Sequence, residues 1–305
     1  MPVDLSYRPL FEQLHPLTVQ FEHEGKPPVS QPAAFEGCEG YDALFLNEFV
    51  VPWPRVVGDA AADVLTIEGV DEARLDYMHF SVTMSASRRM AMYAGVNIEG
   101  ARSESIPRTK DRWVYDGRIP LSQQIGNELY ASNLLDRGHL VRREDPNWGE
   151  NAQRANEQTF HFTNCSPQMA GFNQVTWLSL ENYILLNARS WKERVSVFSG
   201  PVFAPTDREY RSVKIPEAFW KVVAFLSDEG LPSATAYIIG QSKELTKLEA
   251  AYGRFKTYQC SIRQIEALTS LDFGDLRNFD GFSNSEAAGQ PNIVREVNGP
   301  SDILV

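Results

Sequence analysis

Asp136-Arg137-Gly138-His139 sets a fixed cation and an imidazole two residues apart, with a glycine between them. A planar guanidinium offers phosphate oxygens a matching fork of donors. An imidazole titrates near neutrality and can take a proton from water, while glycine lets the backbone turn or approach a ligand closely. The pattern points to hydrolysis at a phosphate rather than to simple binding. Further along stand Thr163-Asn164-Cys165-Ser166-Pro167-Gln168 and then the run from Asn173 to Glu181. Asn173 and Glu181 bring an amide oxygen and a carboxylate, hard ligands that suit a divalent cation which keeps several of its waters.

These residues need elements to hold them. Residues 173–186 read as an amphipathic helix with Val175, Trp177, Leu178, Ile184 and Leu185 apolar. Asn173 would cap it, and Glu181 falls within about 80° of Asn173 around the axis. Strand-like runs occupy 77–84, 90–98, 195–199, 222–226 and 234–239, and 160–164 alternates in the same way. Leu134 and Leu135 lead into the motif as the end of a short strand or bend. A short helix is expected over 151–158, and a serine-capped one over 260–269.

In order and spacing the motifs resemble the DNA/RNA non-specific endonuclease family of the ββα-metal superfamily. Its pattern is Asp-Arg-Gly-His, then Thr-Asn-x-x-Pro-Gln, then Asn, seven intervening residues and Glu. The resemblance extends through residues 75–82, 195–203 and 215–223, covering roughly residues 60 to 281. It implies an α+β fold, a mixed or antiparallel central sheet with flanking helices and a ββα-metal site. It also implies Mg2+ (or Mn2+) held directly by Asn173 and through waters by Glu181, with DNA and/or RNA as substrate. His139 would be the general base and Arg137 a phosphate clamp, while Asn164 would orient His139 or the hydrated metal. A family arginine that approaches the scissile phosphate corresponds to Arg108 or Arg112, and the spacing does not choose between them. Asp136 is expected to brace the motif.

The rest of the chain bounds this reading. Residues 1–59, with Pro27, Pro28, Pro32, Pro52 and Pro54, read as an irregular arm that straps the core or meets a partner. Residues 60–281 form the nuclease domain and 282–305 a surface tail. Net charge is −11, which argues against a generally basic surface, yet residues 101–143 hold eight basic residues against five acidic ones. Cys38, Cys165 and Cys260 are odd in number and widely spaced, so reduced thiols are expected. His79 and His161, inside apolar strand patterns, read as structural. No apolar run suffices to span a bilayer, and the first residues lack the regions of a secretory signal. A cytoplasmic protein is the expectation, and a nuclease kept in its own cell needs control by an inhibitor, an activating partner or homo-oligomerisation. Two alternatives stand beside the enzyme: an inactive nucleic-acid- or partner-binding protein on the same fold, and a phosphodiesterase for small substrates.

Overall fold

Bulky and β-branched residues recur in several short runs such as 80–85, 90–98 and 218–226, which favours pleated strands with two distinct faces. The computed structural model describes residues 26–70, 72–133, 135–169, 178–227, 229–241, 257–289, 294–297 and 302. The strands that matter here are β1 (Arg74–Asp76), β2 (Phe80–Ser85), β3 (Met90–Glu99), β4 (Leu135–His139), β5 (Cys165–Met169), β6 (Arg194–Val202), β7 (Ala218–Leu226), β8 (Pro232–Gly240), β9 (Thr257–Cys260) and β10 (Arg295–Val297). Eight of them form one antiparallel sheet in the order β10-β9-β8-β7-β6-β3-β2-β1. β4 and β5 pair separately as an antiparallel hairpin. The α-helices among the described residues are α1 (Asn127–Tyr130), α2 (Ala152–Gln158), α3 (Leu178–Trp191), α4 (Ile262–Thr269) and α5 (Gly281–Ala287). The fold is α+β.

The sheet is covered on both faces. On one, Leu180, Ile184, Leu185 and Ala188 of α3 pack against Val197, Phe219, Val223 and Ile239. On the other, Phe198, Trp220, Val222 and Ala236 meet Ile262 and Ile265 of α4 together with Tyr41, Phe45, Leu46, Phe49 and Val51. Burying each such side chain contributes about 1.5–3 kcal/mol, so residues 41–51 are part of the core rather than an appendage. Strand alternation fixes what reaches the α3 face: along β7, Phe219 and Val223 point there and Trp220 and Val222 point away. Lys221 shares the α3 face, an inward charge on an otherwise apolar strand.

Several expectations are corrected. Residues 160–164 are not a strand: Phe162–Asn164 is one turn of 3-10 helix, and the strand begins at Cys165. His79 sits in the turn between β1 and β2 at a φ of 69°, its ring stacked on Trp148 at 3.4 Å and its Nδ1 bonded to the Pro146 carbonyl. That role is structural, as is that of His161, which bonds Ser30 Oγ and the Gln158 carbonyl. The stretch after residue 281 is no mere surface tail, since α5 buries Phe282 and Ser283 and β10 pairs with β9. The helix expected over 173–186 is described from Leu178 and runs on to Trp191. Its start, with Asn173, lies outside the described residues. Ser261 caps α4 as expected, accepting from the Gln264 amide at 3.0 Å. The three cysteines are free. Among the described residues no helix is long and apolar enough to cross a membrane.

Candidate active site

The hairpin presents the motif. Leu135 pairs with Met169, Arg137 with Pro167, Gly138 with Ser166 and His139 with Cys165. Gly138 is required by close approach: a Cβ there would lie 2.1 Å from Cδ of the fully buried Gln168 side chain. Gly138→Ala is therefore expected to displace Gln168 and cost about 1–3 kcal/mol, the usual range for overpacking. Adding Gln168→Ala should relieve the clash, and chemical denaturation of the single and double variants reads both.

Asn164 locks the end of β4. Its Oδ1 accepts from the Val141 amide at 2.9 Å, and its Nδ2 donates to the Val141 carbonyl at 2.9 Å and the Thr159 carbonyl at 3.0 Å. All three bonds are to backbone, so the asparagine acts on His139 through the chain that follows it.

His139 is half-buried between Trp113, with ring centroids 4.8 Å apart, and the edge-on ring of Phe160 at 5.0 Å. Its Nε2 is shut off from solvent and has no protein hydrogen-bond partner. Burial pushes its pKa down to about 4; Asp111 opposes this, and the positive charges of Arg108 and Arg143 add to it. The imidazole is thus held neutral at physiological pH, the state a proton acceptor needs. The Arg137 guanidinium lies 5.6 Å from the centre of the Tyr130 ring, a cation–π contact that orients it.

Of the two candidate phosphate arginines, Arg108 is the one whose charge reaches His139. It is exposed and held in a fork by Asp111, Nε to Oδ1 at 3.1 Å and Nη2 to Oδ2 at 2.7 Å. Arg112 is also exposed and lines an adjoining cleft of 330 Å³ with Pro27, Pro28, Lys110, Asp111 and Trp113.

Glu181 projects from the first described turn of α3 and is buried. Its Oε1 lies 3.2 Å from Nζ of Lys221, which is itself 1% exposed and donates to Ser199 Oγ at 2.9 Å. The same Nζ approaches the Leu140 carbonyl at 3.5 Å, so one ammonium joins the residue after His139 to the acid on α3. Asp145 is buried close by. Its pKa is raised to about 7, chiefly by burial and then by the negative charge of Glu181, with Lys221 and Arg142 opposing. Glu181 faces Lys221, and its carboxylate oxygens are hard donors of the kind that fit a divalent cation. Among the described residues no group of three or more His, Cys, Asp or Glu converges to hold a metal. Asn173 lies outside them.

Sequence reasoning missed Lys221 and Asp145. Lys221 left a signal, a lone charge in the apolar run of 218–226. Asp145, in a loop between charged residues and Pro146, left none.

Residues 58–278 match the model of the DNA/RNA non-specific endonuclease family. The chain belongs to that family. It is 43% identical over 290 residues to the uncharacterized protein y4fB of Sinorhizobium fredii (strain NBRC 101917 / NGR234), covering 87% of this chain and 43% of that protein. It therefore spans less than half the length of that relative. Nuclease C1 of Cunninghamella echinulata var. echinulata is 24% identical over 217 residues, 66% of this chain and 84% of its own. Human mitochondrial endonuclease G is 28% identical over 158 residues, 47% of this chain and 52% of its own. A solved EndoG/EndoGI complex superposes with a TM-score of 0.53 at 18% identity, over 73% of this chain and 93% of that one, which shows the shared fold. Members of this endonuclease family are typically Mg2+-dependent.

Proposed function

We propose that the chain is a metal-dependent, largely sequence-non-specific endonuclease hydrolysing phosphodiester bonds of DNA and/or RNA. One observation carries the reading: a base kept neutral, His139, stands at the end of the hairpin, and Lys221 ties the next residue to the buried acid of α3. His139 takes a proton from the attacking water as the new P–O bond forms and the bond to the leaving oxygen breaks. Arg137 clamps a phosphate oxygen, and Arg108, released from Asp111, meets the charge that builds on the phosphoryl group. Asn164 keeps His139 in register. Asn173 and Glu181 would hold the Mg2+ (or Mn2+), which when bound supplies charge neutralisation at the phosphoryl oxygens. Contacts of this kind address backbone and sugar rather than base edges, so little sequence preference follows.

Degradation of supercoiled plasmid and single-stranded RNA in Mg2+, Mn2+ or EDTA tests the reading. Cutting that needs metal and falls by about 100-fold or more in His139→Ala is expected. Cutting at the parent rate in His139→Ala overturns the assignment, and hydrolysis confined to small diesters would favour the small-substrate phosphodiesterase.

Control belongs to the same proposal. An activity retained in the cytoplasm needs an inhibitor, an activating partner or assembly with a second copy, and the solved EndoG relative is bound to its inhibitor. The regulatory handle is not the stretch around residues 41–51, because Tyr41, Phe45, Leu46, Phe49 and Val51 are buried in the core. Residues 1–25, outside the described part, are the segment to delete.

A further inference from the structure

The loop that leaves β4 carries Arg142, Arg143 and Glu144, and α3 brings Arg189 to the same place. Glu144 Oε2 accepts from Arg142 Nη2 at 3.0 Å and Oε1 from Arg143 Nη2 at 2.8 Å, while Arg189 Nη1 stands 3.9 Å from Oε2. Three guanidinium groups share one carboxylate. In a chain whose net charge is −11, that local surplus of positive charge is a departure from the rest of the molecule.

The arrangement is fixed from behind. Arg143 donates through Nη1 to the Ile106 carbonyl at 3.0 Å, and Arg189 through Nε to Ser103 Oγ at 2.7 Å. Arg143 and Arg189 therefore each spend one side on an anchor and turn the other towards Glu144. Side-chain exposures are 16% for Arg142, 15% for Arg143, 30% for Arg189 and 27% for Glu144. These groups are withdrawn enough that water screens them less than free surface charges, yet they remain open to a ligand. They also adjoin the catalytic centre: Arg143 acts on His139, Glu144 acts on Arg108, and Arg142 and Glu144 act on Asp145 beside Glu181.

Among the described residues Arg143 and Arg189 pair with no carboxylate other than Glu144, which they share with Arg142, while Arg142 also feels Asp145. A carboxylate whose two oxygens take donors from two separate guanidiniums reproduces how such forks grip a phosphate. We infer that Arg142, Arg143 and Arg189 form a second phosphate subsite, for a backbone phosphate flanking the scissile one, and that Glu144 occupies it until nucleic acid displaces the carboxylate. The inference rests on the nuclease reading, and it adds where the strand is held and what must leave before it binds.

The test uses the full chain carrying His139→Ala, so that substrate is bound without being cut. Affinity for a short fluorescein-labelled single-stranded oligonucleotide is measured by anisotropy in EDTA across a salt series. Arg143→Gln and Arg189→Gln should each weaken binding and reduce the slope of log affinity against log salt by about 0.7, one single-strand phosphate contact. Glu144→Gln should act in the opposite direction, tightening binding by about two- to five-fold as the internal competitor is removed. A merely structural network predicts the reverse for Glu144→Gln, namely a lower Tm and weaker or unchanged binding, and that result overturns the subsite. Arg189→Gln, at a helix surface, carries the cationic arm if Arg143→Gln fails to fold. Unchanged salt slopes with the parent still binding sink the subsite alone. No binding by the parent at low salt brings down the nuclease reading with it.

Discussion

His139→Ala is expected to lower kcat on nucleic acid by roughly 10²–10⁴-fold, the span a positioned general base contributes, in initial rates of plasmid nicking at saturating Mg2+. KM should change little, because the imidazole meets the attacking water rather than the strand. The pH profile gives an independent reading. With its pKa pushed down to about 4 by burial between Trp113 and Phe160, His139 stays in its basic form through the whole neutral range. The acid limb of kcat/KM should therefore fall near pH 4, where an exposed histidine would place it near about 6.5. Trp113→Ala, which opens the site to water, should move that limb upward. The same shift bears on stability. Between about 6.5 and 4 the unfolded chain holds a proton on this imidazole and the native chain does not, so His139 makes the fold less stable as pH falls through that window. His139→Ala should flatten the decline in urea midpoint between pH 7 and pH 4.5. A limb that stays near 4 in Trp113→Ala would remove burial as the cause.

Much of this site was legible because its signals are local. Asp136 to His139 is contiguous, and Asn164 and Glu181 follow at fixed intervals. The strands show in alternation and α4 in its serine cap. What escaped depends on contacts between distant segments. Asn164 reads as orienting His139 or the hydrated metal, and its spacing gives no sign that its amide bonds the Val141 and Thr159 backbone. His79 was read inside a strand because its neighbours are apolar, whereas a positive φ and the Trp148 ring place it in a turn. The two arginine candidates lie four residues apart, and no periodicity distinguishes the one in the field of His139 from the one facing a neighbouring cleft. The proline-rich segment reads as an irregular arm, and residues 1–25 of it lie outside the described residues. Proline content, however, says nothing about Tyr41, Phe45 and Leu46 filling one face of the sheet.

Lys221 makes the second large prediction. Its ammonium and the Glu181 carboxylate are 1% and 7% exposed and 3.2 Å apart, so neither can turn to water when the other is removed. Lys221→Met should destabilise the fold by about 3–5 kcal/mol, the range for leaving one member of a buried pair uncompensated. Most of that cost is the stranded charge rather than the lost attraction, so Lys221→Met combined with Glu181→Gln should recover a large part of it. Urea unfolding of the two single variants and the double variant closes the cycle, and additive losses would show that the two groups do not depend on each other. The lysine also bears on metal. A divalent ion brought to Glu181 offsets the charge that Lys221→Met leaves behind, and whatever binds only the native state stabilises it. The rise in Tm on adding Mg2+ should thus be larger in Lys221→Met than in the parent, while turnover falls because Leu140 and Glu181 no longer share an anchor. An equal Mg2+ response in both proteins would place the ion away from Glu181, and the acid of α3 would then be structural.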